Sequence, residues 1–295
     1  MIEPPSDGDV MVAVEDPHQV AQLVRTGGAL ARAAGRTVRL VTVVVKPHDS
    51  PFGLFSDETI IEEFAADSHE LLEAAPAPEG VEVVRDLVVA RSVADGLVSA
   101  VKREEPAALV IGWDTDPRAS DVLLGSTVDE VFERAPTDVY VERIGREADG
   151  VESVLLPVAG GPHVSAARTA AVAIAGANDA AITVLSVATG GLDEAAASDL
   201  ASETTAAVER ALGDGHVEAA VTSGSSVEDV IVDRAADHDV VILGATRKGA
   251  LRGRLVGSVP RRVVDHSDRT VLVARDASGR LGRVGRLLAS LTGRR

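Results

Sequence analysis

The chain of 295 residues contains no cysteine. Disulfides, thiolate metal sites and cysteine nucleophiles are therefore excluded. Aromatic residues are almost as scarce, at 2%, so any core must be built from Val, Leu, Ile and Ala. Lysine occurs only at Lys46, Lys102 and Lys248, and arginine supplies the rest of the positive charge. No apolar run approaches the ~20 residues that span a bilayer. The opening Met1-Ile2-Glu3-Pro4-Pro5-Ser6-Asp7 has neither a basic segment nor an apolar core, so the expectation is a cytoplasmic protein without a signal peptide. The histidines His18, His48, His69, His163, His216, His238 and His266 are scattered. None has the close spacing of a metal-ligand set, and no metal is expected. A G-x-S-x-G elbow, a Walker A lysine pattern and a G-x-G-x-x-G are all missing. Nothing presents a general base beside a nucleophile, so no catalytic residues and no enzyme are expected.

What the chain has in excess is negative charge, with a net value of −17. Such a surface repels nucleic acid and anionic membranes in general, so no nucleic-acid partner is expected. Acidic, lysine-poor, Ala- and Val-rich composition is that of proteins from salt-loving organisms, where carboxylates hold water. An ordinary acidic protein from a high-GC genome would read the same way.

Apolar runs alternate with amphipathic stretches along the whole chain. In the first half, strands are expected at 10–14, 38–45, 81–89, 108–111 and 138–141, and helices at 18–35, 57–75, 92–103 and 126–134. Val20, Leu23, Val24, Leu30 and Ala31 share one face of the first helix. In the second half, strands are expected near 153–158, 181–187, 216–222, 239–243 and 270–274, and helices near 163–177, 192–213, 225–237 and 258–266. Five strands alternating with four helices predict an α/β domain, an open parallel sheet with helices on both faces, present twice. The expected boundaries are 8–145 and 151–275, joined by a short polar linker, with a tail at 276–295.

One pattern occurs in both halves. An apolar run ends in Gly, twelve residues follow, and then comes Gly-Ser: Gly112 to Gly125-Ser126, and Gly244 to Gly257-Ser258. The copies lie 132 residues apart, about one domain length. A Gly after a strand lets the backbone turn and approach a ligand closely. A Gly-Ser at a helix start exposes backbone N–H groups whose dipole attracts phosphate. The second loop carries Arg247, Lys248, Arg252 and Arg254. It reads as an anion site, or else as a solvated loop whose cations balance nearby carboxylates. The first loop carries Asp114, Asp116, Asp121 and Arg118, which would repel a polyphosphate. That half is expected to be a scaffold or dimerisation copy.

These residues resemble the universal stress protein family, whose loop motif is G-x2-G-x9-G-[ST] after the fourth strand. The resemblance covers about residues 8–275, in tandem, and the form Gly244-Ala245-Thr246-Arg247-Lys248-Gly249 is similar to an archaeal subgroup. The resemblance implies strand order 3-2-1-4-5 in each half. It implies self-association of the two domains, within the chain or as a homodimer. It also implies binding of ATP or another adenine nucleotide, with Mg²⁺ beside the phosphates. Carried over by position, the nucleotide-binding residues are Pro157, Val158, Ala159, Val187, Leu243, Gly244, Thr246, Arg247, Gly257, Ser258 and Val259. The matching places in the first half are Val14, Glu15, Val43, Gly112, Gly125 and Ser126. Two departures stand out. The middle Gly is Thr115 in one half and Arg247 in the other. The Asp that ends the first strand in nucleotide-binding members is Glu15 in one half and Ala159 in the other, and Ala159 offers no side-chain acceptor.

The last twenty residues are basic, with Arg280, Arg283, Arg286, Arg294 and Arg295 against Asp276. Leu281, Val284, Leu287, Leu288 and Leu291 fall at roughly helical spacing. This segment reads either as an amphipathic helix that touches a membrane surface or transporter, or as a solvated tail. Three functions remain open from sequence: a regulatory nucleotide-binding module, a scaffold of the same fold without nucleotide, and an enzyme such as a flavoprotein subunit, for which fold is a weak warrant.

Overall fold

The computed structural model describes residues 8–46, 56–113, 126–145, 150–161, 163–213, 215–245 and 257–277. The first half runs β1 (Val10–Ala13), α1 (Pro17–Ala34), β2 (Val38–Val45), α2 (Asp57–Phe64), α3 (Ala66–Ala74), β3 (Val83–Ala90), α4 (Val93–Glu104), β4 (Ala108–Gly112), α5 (Ser126–Arg134) and β5 (Asp138–Arg143). The second runs β6 (Ser153–Pro157), α6 (Val164–Asn178), β7 (Ala181–Ala188), α7 (Glu194–Leu212), β8 (Val217–Ser223), α8 (Val227–Ala235), β9 (Val240–Gly244), α9 (Ser258–His266) and β10 (Thr270–Arg275).

Local chemistry explains most of the boundaries. α1 starts at Pro17, whose missing N–H costs nothing there. The Asp16 carboxylate accepts from the His18 N–H, and Gly35 ends the helix in the left-handed region at φ 65°. Ser92 and Ser226 open α4 and α8 by accepting from the N–H of Asp95 and Asp229. One expectation differs. The stretch 57–75 is two helices, divided at Ala65 (φ −106°, ψ 23°). Ile60 and Leu72 are both buried. A straight helix would place residues twelve apart about 120° from each other around its axis; with the break between them, both are buried.

All ten strands form one sheet in the order β3-β2-β1-β4-β5-β10-β9-β6-β7-β8. Each half therefore has the order 3-2-1-4-5. Every neighbouring pair is parallel except β5 with β10, which meet antiparallel and join the halves. The sheet divides two aliphatic cores, each continuous across that seam. One holds Leu30, Leu40, Tyr140, Leu156 and Ile182, and the other holds Met11, Leu97, Phe132, Leu185 and Val263. Among the described residues no helix is long and apolar enough to cross a membrane.

Candidate functional site

Ligand sites of open parallel sheets lie beyond the carboxyl ends of the strands, where the order reverses. That point falls between β1 and β4 in one half and between β6 and β9 in the other. The β1–β4 ladder stops at Val12–Val110, and the β6–β9 ladder stops at Leu155–Val241. Past these pairs each strand continues to its glycine, Gly112 or Gly244.

In the second half, Pro157 ends β6, and the Val158 N–H donates to the Leu185 carbonyl at 2.8 Å. The backbone then turns through Ala159, Gly160 (φ 72°) and Gly161 (φ 106°), a path open mainly to glycine. Val187 and Leu243 are buried on the neighbouring strands. Gly257 sits at the N-cap of α9 with no side-chain cap, followed by Ser258 and Val259 in the first turn. Thr246 and Arg247 lie outside the described residues, as do Lys248, Arg252 and Arg254.

Two contacts here were not legible in the loop motif. A Cβ on Gly244 would stand 3.1 Å from the His163 carbonyl oxygen and 3.2 Å from its carbon. The glycine thus admits the start of α6 against β9. Buried His163 in turn accepts the Asp276 N–H at its Nδ1, at 3.2 Å. The exposed Ser258 hydroxyl donates to Glu228 Oε1 at 3.2 Å. Beside it, Arg262 pairs with Asp229 at 2.9 Å. The Asp229 carboxyl is held below its usual range, first by the Ser226 hydrogen bond and then by Arg262.

In the first half, a cleft of about 430 Å³ opens at the equivalent place, within the range of small-molecule sites. Val14, Val41, Val43, Leu97, Ile111 and Trp113 form its walls, and Glu15, Asp16 and Gln19 lie along it. The sequence-derived Val14, Glu15, Val43 and Gly112 all line this cleft. Gly125 is outside the described residues, and Ser126 begins α5. Trp113, the sole tryptophan, was missed. Its position directly after Gly112 was the available signal. The cleft lining holds two carboxylates and no cation among the described residues, which suits it poorly to a polyphosphate. No grouping of His, Asp and Glu suited to a metal occurs among the described residues.

The universal stress protein family model matches residues 8–143 and again 150–275. The chain belongs to the universal stress protein family. Among solved structures it is similar to a putative universal stress protein from Pseudomonas aeruginosa UCBPP-PA14, at 14% identity and TM-score 0.61, covering 96% of this chain and 98% of that one. It is also similar to a universal stress protein from Archaeoglobus fulgidus DSM 4304, at 15% identity and TM-score 0.58, covering 91% and 96%. The cytoplasmic domain of a prokaryotic cation chloride cotransporter follows, at 13% identity and TM-score 0.55, covering 92% and 96%. At such identities the likeness concerns the fold. No curated protein matches the sequence.

Proposed function

We propose that this universal stress protein is a regulatory binding module rather than an enzyme, and that its second half takes an adenine nucleotide, ATP or AMP. The observation that carries the reading is the start of α9. It stands after the Gly244 loop with no side-chain cap, so the N–H groups of Ser258 and Val259 are offered to an anion. Pro157, Val158, Ala159, Val187, Leu243 and Gly244, carried over by position from the family, would supply backbone and apolar surface for a base and ribose. Thr246 and Arg247 belong to the loop that would meet the phosphates, and Mg²⁺ would accompany ATP there. The domain boundaries proposed for this division of labour are 8–145 and 151–275, with 276–295 as a separate basic tail.

A second reading is a scaffold without nucleotide, attached to a membrane transporter through the tail. The specific observation in its favour is the Ser258–Glu228 hydrogen bond, which occupies the hydroxyl and brings a carboxylate toward the phosphate position. A cotransporter domain of the same fold names the kind of partner to look for. The tail itself lies outside the described residues beyond Ala277.

Mass spectrometry of small molecules released from the heat-denatured protein tests the two readings, followed by calorimetric titration with ATP and Mg²⁺. Bound nucleotide, or binding lost in Arg247→Glu, supports the first reading. Unchanged affinity in that variant removes the loop placement, and a protein empty by both measurements leaves the scaffold. Trp113 emission locates the ligand: a calorimetric signal with unaltered emission belongs to the second half.

A further inference from the structure

The seam between the halves has an approximate two-fold symmetry that can be read residue by residue. Positions 132 apart are equivalent, as with Gly112 and Gly244. In the β5–β10 ladder Val141 opposes Val273, its own equivalent, so the axis passes through this pair. Part of the seam obeys the symmetry. Arg143 donates to the Ser267 carbonyl, and Arg275 donates to the equivalent Ala135 carbonyl. Such contacts would serve any pairing of halves equally well.

Other positions break the symmetry, and they do so in complementary fashion. Asp129 on α5 faces its own equivalent, Arg261 on α9, at 3.9 Å, with side chains 22% and 11% exposed. In the ladder, Tyr140 opposes Ala274 and Glu142 opposes Leu272. Tyr140, Leu272 and Ala274 are fully or nearly fully buried. The Tyr140 hydroxyl donates across the seam to the Ala166 carbonyl of α6 at 3.4 Å. Buried Glu142 is held by Gln22 of its own half at 2.8 Å. In the ladder, the phenol and the carboxyl thus belong to the first half, and the apolar Leu272 and Ala274 to the second.

We propose that this seam is an interaction surface fitted to one partner, the opposite half, and that it rejects a second copy of its own half. Two first halves would bring Asp129 against Asp129. They would also set each Tyr140 against a Glu142, enclosing two carboxyls and two phenol rings where one of each now fits. Two second halves would bring Arg261 against Arg261 and would leave unfilled the space that Tyr140 occupies. Symmetric backbone pairing and the two arginine contacts provide attraction. The unlike residues at like positions provide discrimination. The chain therefore closes on itself, and β3 and β8 are left as the outer strands for any further association. This proposal is independent of nucleotide binding.

Two experiments test it. In the first, a protease site is placed between residues 146 and 149 of the full chain, which is then cleaved, diluted, reconcentrated and weighed by native mass spectrometry. Complexes of one first half with one second half are expected. Homodimers of either half in comparable amount would overturn the proposal. The second experiment keeps the chain intact, so it decides the matter even if cleaved halves precipitate. Asp129→Arg and Arg261→Asp each place like charges together, and each is expected to lower the thermal midpoint by a few degrees. The double exchange restores most of the loss. Single and double variants whose effects simply add would show that the pair does not discriminate.

Discussion

Arg143 and Arg275 occupy equivalent positions in the two last strands, and each reaches across to the C-terminal end of the opposite half's last helix. Arg143 meets the Ser267 carbonyl after α9. Arg275 meets the carbonyls of Ala135, at 2.8 Å, and Thr137, at 2.7 Å. Cations satisfy carbonyls at helix C-termini and favour the dipole there. The two arginines therefore tie sheet and helices together across the seam.

Replacing Arg275 tests this clasp. Arg275 is 4% exposed, so Arg275→Met leaves two carbonyls without their charged donor. The expected loss is about 2–4 kcal/mol, measured by urea denaturation. Arg143 is only half-buried, and Arg143→Met is expected to cost less. Equal and negligible losses at both positions would remove the clasp from the account.

Glu142 makes stability depend on pH. Burial pushes its carboxyl up to about 7, against the opposing effects of the Gln22 and Thr26 hydrogen bonds and of Arg25. The folded value lies above the unfolded one, so the folded chain binds more protons between about pH 4.5 and pH 7. Stability falls as pH rises through that window. Glu142→Gln is expected to stabilise at pH 8 by up to about 3 kcal/mol and to change little at pH 4.5. Denaturation across a pH series reads both ends, and a variant with the parental slope would contradict it.

The two loop glycines are expected to respond unequally to alanine. At Gly244 the added methyl meets the backbone of His163, which cannot move without moving α6. Gly244→Ala should cost on the order of 1–2 kcal/mol by denaturation. At Gly112 the nearest atom is the end of the Gln19 side chain, which can swing away, so Gly112→Ala should cost less. The reverse ranking would mean that α6 is not seated as described.

Glu228 provides a test of the anion site that leaves the loop untouched. Glu228→Gln removes a negative charge beside Ser258, and if phosphate sits at the α9 start its affinity should rise several-fold. Calorimetric titration with ATP measures it. Weaker or unchanged binding would place the nucleotide elsewhere.

Net charge predicts salt dependence. With −17 to accommodate, the fold should gain stability between about 0.1 M and about 2 M KCl as repulsion is screened. A thermal midpoint indifferent to salt would remove the salt-loving reading.

Much of the architecture was determined by the sequence alone. Short β-branched runs alternating with amphipathic stretches demand parallel strands with helical crossovers, and a fixed 132-residue offset makes the halves repeats. Such signals are local, because strand period, helix period and capping are properties of neighbouring residues. The tertiary structure decided what depends on residues far apart in sequence. It broke 57–75 into two helices at Ala65, and Ile60 before the break and Leu72 after it are both buried. It placed Trp113 along a cleft of the first half, the half that loop charge marks as a scaffold or dimerisation copy. It set His163 against Gly244 and Glu228 against Ser258, contacts between segments with no common pattern. Most of all, it opposed Asp129 to Arg261 and Tyr140 to Ala274. Each residue is unremarkable in its own element, and its meaning appears only when a two-fold axis brings equivalent positions together.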